Sequence, residues 1–153
     1  MKNAFGPAAA FAVFAVLSAP TMADARAKHS ISLPSPRLVF QGSEPYEANG
    51  FDFVRYQYDV TNKAKYPKAL FQTSQNAPPC GQNVSATRIA VAIYDTKGKQ
   101  LVEFCSLPGP ERLDGLWFAV AKDTVPPAGV YIEITDRLTG KKARSQVAPT
   151  SKP

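Results

Sequence analysis

The chain has 153 residues, a formal net charge of +6 and a single histidine. This length fits one domain with one hydrophobic core, and the positive charge suits contact with anionic surfaces. The scarcity of histidine excludes imidazole-rich zinc or copper sites. It also argues against Ser-His-Asp or Cys-His catalysis, because both need an imidazole base. No metal site and no cofactor are predicted.

The N-terminus predicts a signal peptide. Lys2 precedes an apolar run over residues 8–19, which is too short to span a bilayer, and small residues follow as signal peptidases require. We expect residues 1–25 to be removed, with the cut after one of three alanines, Ala23, Ala25 or Ala27. The mature protein is then periplasmic or secreted, with no transmembrane segment. Residues 26–36, which include His29, are predicted to form a flexible leader.

Runs rich in β-branched and aromatic residues recur between turn signals, and the 14 prolines and 9 glycines supply the turns. We predict eight strands, at residues 37–40, 51–60, 69–72, 87–95, 100–105, 116–121, 130–135 and 141–147. The sequence TKGK between the fourth and fifth predicts a hairpin with Gly98 at positive φ. Short, closely spaced strands favour an all-β fold, a two-sheet antiparallel sandwich of about 7–8 strands, with a barrel as the alternative.

The predicted sandwich domain covers residues 37–147, and residues 148–153 are expected to be a disordered tail. The segment PPAGVYIEITDRLTG, residues 126–140, resembles the closing strands of secreted immunoglobulin-like or fibronectin type III-like modules. The resemblance implies a β-sandwich module that is used mostly for binding.

Two cysteines, Cys80 and Cys105, follow the predicted signal peptide. Exported thiols tend to be oxidised, so we predict a disulfide between them, with a free thiol or an intermolecular bridge as the alternatives. Closing a loop of this length stabilises a fold by about 3 to 4 kcal/mol on the chain-entropy model. Neither cysteine is expected to ligate a metal, because imidazole partners are missing.

Lysines are concentrated in three predicted connections, those after the second, fourth and sixth strands: Lys63, Lys65, Lys68, Lys97, Lys99 and Lys122. If the strands alternate in direction, these connections lie at one end of the sandwich. We interpret them as a candidate site for an anionic envelope polymer, lipid headgroups or an acidic protein. The alternative is that exposed loops carry lysine only for solubility.

Aromatic residues supply a second candidate site. In the second predicted strand Val54, Tyr56, Tyr58 and Val60 share one face, which is predicted to be core. Phe51 and Phe53 lie on the other face, and Tyr46 and Tyr66 flank the strand. Exposed together, these four aromatic residues would suit sugar rings or a partner protein. The alternative is that the leader, a strand or a loop covers them; Trp117 is assigned to the core or a sheet edge.

These features predict an exported, non-enzymatic binding or accessory module of the cell envelope, whose partner is an envelope polymer or a protein and not nucleic acid. One alternative is a protein interaction module that uses the aromatic residues or a sheet edge at residues 141–147. A small hydrolase with two carboxylates is the other. Asn83 begins the pattern Asn-Val-Ser, a glycosylation acceptor in a eukaryotic host.

Overall fold

The computed structural model describes residues 31–80 and 86–151, and this part of the chain contains eight β-strands. They are β1 (Leu38–Ala48), β2 (Phe51–Val60), β3 (Ile89–Asp95), β4 (Gln100–Phe104), β5 (Leu116–Ala121), β6 (Gly129–Asp136), β7 (Lys141–Arg144) and β8 (Ala148–Pro149). Three short 3-10 helical turns are Lys63–Lys65, Lys68–Phe71 and Pro110–Leu113. The predicted signal peptide with its cleavage sites, His29 and Asn83 lie outside the described residues.

The strands form two antiparallel sheets. In the first sheet the strand order is β1-β2-β5. In the second sheet the order is β4-β3-β6-β7, and β8 pairs with β6 beyond the end of β7. The predicted fold class, an all-β two-sheet antiparallel sandwich, is confirmed.

The core lies between the two sheets because each sheet contributes one apolar face. The inward residues of the second sheet form one cluster with inward residues of the first sheet. Those from the second sheet are Ile89, Val91, Ile93, Val130, Ile132 and Ile134. From β2, Tyr56, Tyr58 and Val60 are buried in this cluster, and Val54 packs against it. The predicted core face of β2 is therefore confirmed.

A 3-10 turn replaces one of the predicted strands. The sequence predicts a strand at 69–72, but residues Lys68–Phe71 form a helical turn. Leu70 and Phe71 are neighbours in the chain, and both are buried in the core. Adjacent residues of a strand point to opposite faces of the sheet, so a surface strand would expose one of these side chains. The strand prediction was wrong at this point.

The first strand is longer than predicted. The sequence predicts residues 37–40, whereas β1 continues to Ala48 and joins β2 through a two-residue turn. Asn49 and Gly50 both have positive φ, 53° and 76°, and Ala48 pairs directly with Phe51. Two left-handed residues in a two-residue loop match the right-handed twist of the hairpin, and Asn-Gly adopts this conformation readily.

β1 is also irregular at two points. Its register with β2 shifts between Phe40 and Gly42, which leaves Gln41 as a bulge. Pro45 lies further along the strand, opposite Val54. Proline lacks an N–H for the ladder, and it is tolerated here because β1 is an edge strand of its sheet.

Both ends of the described chain belong to the sandwich. Ile31 and Leu33, in the predicted leader, pack against the core. Asn62 Nδ2 donates a hydrogen bond to the Ser35 carbonyl at 2.9 Å. At the other end, Ala148 is buried and pairs with Val130. Apolar residues on both sides of the predicted domain, 37–147, therefore contribute to the core.

A disulfide joins Cys80 to Cys105, as predicted, with the two Cα atoms 5.8 Å apart. The bond ties the segment after the Lys68–Phe71 turn to the residue that follows β4. Cys80 packs with Ala86 and Ala90 in a small cluster separate from the main core. The disulfide thus holds a connection whose own apolar contacts are few.

A buried ion pair lies where β3 and β6 meet. Arg88 Nε donates to Asp136 Oδ1 at 2.7 Å, and Arg88 Nη2 donates to Oδ2 at 2.6 Å. Thr139 Oγ1 and the Leu138 N–H also donate to this carboxylate, which is fully buried. Burial raises the pKa of Asp136, but these hydrogen bonds lower it by more, so the pKa lies below its ordinary value. The carboxylate is therefore held in its charged form.

We expect removal of the disulfide by Cys80→Ser together with Cys105→Ser to lower the free energy of unfolding by about 3 to 4 kcal/mol. Urea unfolding measures this difference. Reduction of the wild-type protein should lower stability by a similar amount, because it breaks the same bond. Equal stability of the variant and the oxidised wild type would contradict the assigned role of the bond.

We expect Asp136→Asn to lower the free energy of unfolding by about 3 to 5 kcal/mol, because Arg88 loses the carboxylate that balances its buried charge. The wild-type contribution should be complete above the unfolded-state pKa of about 3.9 and should be lost as the pH falls through the lower native pKa. Urea unfolding between about pH 7 and pH 2 tests both statements. The control is Glu133→Gln, which breaks an exposed pair with Lys142 and should cost less than about 1 kcal/mol.

Candidate functional site

The outward side of the first sheet carries an aromatic face, which we define by Tyr46, Phe53, Arg55 and Trp117. Phe53 and Arg55 point outward because the even-numbered residues of β2 fill the core. The register places Tyr46 of β1 opposite Phe53, and Trp117 of β5 opposite Gln57. Since β2 lies between β1 and β5, side chains from all three strands meet above it.

The rings of the aromatic face contact one another. The ring centroids of Tyr46 and Trp117 are 5.5 Å apart, and those of Tyr46 and Phe53 are 6.3 Å apart. The ring planes are tilted, by 58° and 47° respectively. Tilted pairs at these distances are favourable, because the electropositive edge of one ring meets the electronegative face of the next. The rings therefore form one connected cluster.

Arg55 lies at the centre of the aromatic face. Its guanidinium carbon is 5.3 Å from the Tyr46 ring centroid and 5.6 Å from that of Trp117. Both distances are within the range of cation–π attraction. Arg55 Nε also donates a hydrogen bond to Glu44 Oε1 at 3.0 Å, and Gln57 Nε2 donates to the same oxygen. These contacts fix the guanidinium and, through it, the rings on either side.

Small residues surround the aromatic rings on the same side of the sheet. Ala119 pairs with Arg55, Ala121 pairs with Phe53, and Ala48 pairs with Phe51. Alanine has only a methyl group, so these positions cover the neighbouring rings less than a larger residue would. The aromatic face therefore stays partly exposed, and the charge of Arg55 is balanced by Glu44.

Tyr66 does not belong to the aromatic face, although the sequence predicts it there. Its side chain is buried in the core, and its hydroxyl donates to the Pro34 carbonyl at 2.7 Å. Burial raises the pKa of the Tyr66 hydroxyl well above its ordinary value. Tyr66 therefore has a structural role, because it secures the end of the leader.

Two members of the aromatic face were not among the predicted site residues. Trp117 lies in the edge strand β5, with its side chain on the outer side. Arg55 lies on the same side of β2 as Phe53, and no role was predicted for it. The alternation of side chains along β5 could have placed Trp117 on the outer side. Leu116 and Phe118 are buried, so the residue between them points outward.

The structure does not bring the six predicted lysines to one end of the sandwich. Lys63, Lys65 and Lys68 follow Val60, at the end of the first sheet where β2 pairs with the start of β1. Lys122 follows β5 at the opposite end of the same sheet, where Asp52 pairs with it. Lys63 in turn pairs with Asp114. A single basic surface is therefore not formed by these residues.

The lysine prediction failed because of the strand count on which it rested. Lys97 and Lys99 lie in the β3–β4 hairpin of the second sheet, where Gly98 has the expected positive φ of 85°. The prediction placed them with the lysines after β2 by alternating strand directions. One extra strand at 69–72 reverses the direction assigned to every later strand. Without that extra strand, alternating directions no longer place Lys97 and Lys99 at the same end as the lysines after β2.

The other predicted interaction surface, the sheet edge at residues 141–147, is an edge in the structure. β7 pairs only with β6, and it ends at Arg144. The Arg144 guanidinium carbon lies 3.4 Å from the Tyr131 ring centroid, and Tyr131 stacks on Tyr94. Ser145 then interrupts the edge, because its side-chain hydroxyl accepts the hydrogen bond from the Ile132 N–H. A regular strand at this edge therefore covers only four residues.

The described residues contain one group with the geometry of a metal site: Cys80, Glu103 and Cys105, whose ligand atoms lie within 4.8 Å of one another. Two of these three atoms are disulfide sulfurs, which are not thiolate ligands. For the hydrolase alternative, one arrangement of two acids is Glu47 opposite Asp52 across the β1–β2 hairpin. Both of these acids are exposed, whereas a catalytic pair has to face one bound sugar at a fixed separation.

No protein-family model, curated protein or solved structure matches this chain. The resemblance to immunoglobulin-like or fibronectin type III-like modules therefore stays a prediction. Within the two described segments, no helix has the length and apolar character that a membrane crossing requires. The function has to be inferred from the site itself.

Trp117 is the only tryptophan, so its fluorescence reports on the aromatic face alone. We expect Tyr46→Ala to shift its emission to longer wavelength and to increase quenching by acrylamide, because the variant uncovers the indole ring. Tyr94→Ala, on the outer side of the other sheet, is the control and should leave both quantities unchanged. A Tyr46→Ala spectrum identical to the wild-type spectrum would contradict the contact between the rings.

Proposed function

We propose that this protein is an exported, non-enzymatic module that binds a partner protein in the cell envelope through its aromatic face. The observation that carries the proposal is the contact between Tyr46 and Trp117 across Arg55 on the outer side of the sheet. Outward sheet faces are normally polar, whereas this one carries the partly exposed rings of Tyr46, Phe53 and Trp117. Grouped apolar side chains on a surface mark interaction sites. Tyrosine, tryptophan and arginine are also the residues that contribute most at protein interfaces.

The arrangement of the rings favours a protein over a sugar chain. Arg55 lies over the rings of Tyr46 and Trp117, and the rings are tilted against one another. No common flat platform is left on which successive sugar rings could stack. Tilted, partly exposed rings around an arginine instead suit the side chains of a protein.

Acidic and basic residues both lie around the aromatic face. Glu44 is paired with Arg55, and Asp52 is paired with Lys122. Glu47 lies opposite Asp52 on the same hairpin. Because these charges nearly balance, contact through the aromatic face depends mainly on its rings.

An envelope location agrees with the covalent structure. The disulfide-bonded cysteine pair, together with the lack of a membrane-spanning helix in the described segments, is compatible with an extracellular or periplasmic protein. Export through the N-terminal signal peptide is part of the proposal.

The test is a crosslinked pull-down of the full chain from its native envelope fraction, washed at low and at high salt. We expect a protein partner that survives the high-salt wash, because apolar contacts are little weakened by ions. Trp117→Ala should reduce its capture at least about tenfold, the size of a hot-spot loss. Thermal unfolding checks that the variant remains folded.

The matched control replaces Lys63 and Lys65 with Gln and should leave capture unchanged. Loss of the partner in this control, with normal capture by Trp117→Ala, would overturn the proposal and favour an anionic ligand for the lysines. A polysaccharide as the captured species would also overturn it.

A further inference from the structure

The carboxylate of Glu103 lies beside the Cys80–Cys105 disulfide, on the outer side of the second sheet. The two sulfur atoms and a carboxylate oxygen lie within 4.8 Å of one another. Glu103 belongs to β4, and Cys105 follows two residues later, so both side chains project to the same side. On β3, Ala90 points to this side too, because its neighbours Ile89 and Val91 are in the core, and Cys80 packs against it.

The two cysteines are positioned by contacts other than the bond between their sulfurs. The Cys105 carbonyl accepts a hydrogen bond from the Thr87 N–H at 2.9 Å. The Thr87 hydroxyl in turn accepts one from the Leu107 N–H at 3.2 Å, so the chain at Cys105 and just beyond it is anchored to Thr87. Cys80 is buried and packs with Ala86 and Ala90. We therefore expect the two cysteines to remain neighbours when their sulfurs are thiols.

Two thiols and a carboxylate form a ligand set that suits zinc. Zn²⁺ binds cysteine sulfur at about 2.3 Å and carboxylate oxygen at about 2.0 to 2.2 Å, in tetrahedral geometry. Ligand atoms around such an ion are then about 3.6 to 3.8 Å apart. Once the bond between the sulfurs is absent and they move apart, the three atoms come within reach of this spacing. Three protein ligands leave a fourth position for water.

The Glu103 carboxylate is available as a ligand. It is exposed, and none of the ion pairs in the described part of the chain includes it. Lys142, a cation that the charge of Glu103 reaches, is hydrogen-bonded to Glu133 at 2.7 Å instead. Cys105 is only partly buried, so an ion can approach its sulfur from solvent. The fold thus provides a carboxylate where the sequence offers the cysteines no imidazole partner.

We propose that the reduced chain, as it exists before the disulfide forms, binds one zinc ion through Cys80, Glu103 and Cys105. Binding displaces one proton from each thiol to solvent. Oxidation by a disulfide compound, such as glutathione disulfide, then joins the two sulfurs. The two thiolates give up two electrons, and the oxidant takes these with two protons from solvent and becomes two thiols. The zinc ion leaves, because disulfide sulfurs are not thiolate ligands.

The test is titration of the reduced full chain with Co²⁺, a spectroscopic substitute for zinc, followed by Zn²⁺. A phosphine serves as the reductant, because an added thiol would compete for the metal. We expect a sulfur-to-cobalt charge-transfer band and the visible bands of tetrahedral Co²⁺, at one ion per chain, and zinc should remove both. The oxidised chain should show neither. The proposal does not depend on the aromatic face, which partner capture tests separately.

Glu103→Gln should weaken metal binding at least about tenfold, because loss of a group that only supports a metal ligand already costs about 10- to 100-fold in affinity. Glu47→Gln, at an exposed acid of the other sheet, is the matched control and should bind as the wild type. Zinc should also raise the thermal unfolding temperature of the reduced wild type. It should not do so for Cys80→Ser together with Cys105→Ser.

Three outcomes would overturn the proposal. One is a reduced wild type without the sulfur-to-cobalt band, or one that circular dichroism shows to be unfolded with zinc present. Another is wild-type affinity in Glu103→Gln, because the carboxylate would then not be a ligand. The third is a ratio of two chains per ion, which would place the metal between copies. Glutathione disulfide should release zinc in step with disulfide formation, and zinc retained by the oxidised chain would contradict the exchange.

Discussion

The two faces of β2 determine the rest of the structure. β2 is the middle strand of a three-stranded sheet, so both neighbours take their register from it. Its even-numbered side chains supply the core, and its odd-numbered side chains hold the aromatic face together. Because side chains alternate along a strand, a shift of one residue would expose Tyr56 and Tyr58 and bury Arg55. Burial of the core side chains therefore fixes the register of β2, and this register also fixes the positions of the residues in the aromatic face.

The two ends of the first sheet differ in burial. The end near Val60 is covered, and the end at the β1–β2 hairpin is exposed. Near Val60 the first sheet is sealed by Tyr66 and by the leader residues that pack beside it. Towards the hairpin, Phe51 and Asp52 are exposed although their side chains point to opposite faces. The hairpin end thus projects beyond the core. Its rigidity comes from the short Asn49-Gly50 turn and from pairing along β1, not from burial.

Local sequence patterns predicted the strands well where a strand has one buried face. β5 has the predicted limits, and the core side of β2 is as expected. The prediction failed where conformation depends on contacts distant in sequence, as with Leu70 and Phe71, whose burial requires both sheets. The Asn49-Gly50 turn was a missed local signal, since this dipeptide favours a two-residue hairpin.

The candidate site was predictable only in part. The alternation in β2 identified Phe53, and Tyr46 was close enough in sequence to be grouped with it. Trp117 lies far away in sequence, and its contact with Tyr46 depends on β5 pairing with β2, which the strand pattern alone does not give. Arg55 acquires its role only when rings from two other strands approach it. Predicting Trp117 and Arg55 as site residues would have required the order of the strands in the sheet, which the composition does not give.

Pro45 has a consequence for contacts between copies of the chain. An exposed edge strand is a template on which other chains can add strands and start fibrils. Proline has no N–H to offer such a strand, so Pro45 interrupts the template within β1. At the far edge of the other sheet, β7 is only four residues long, so it offers little backbone for a second copy to pair with. The protein is thereby protected against indefinite backbone stacking even though apolar side chains remain on its surface.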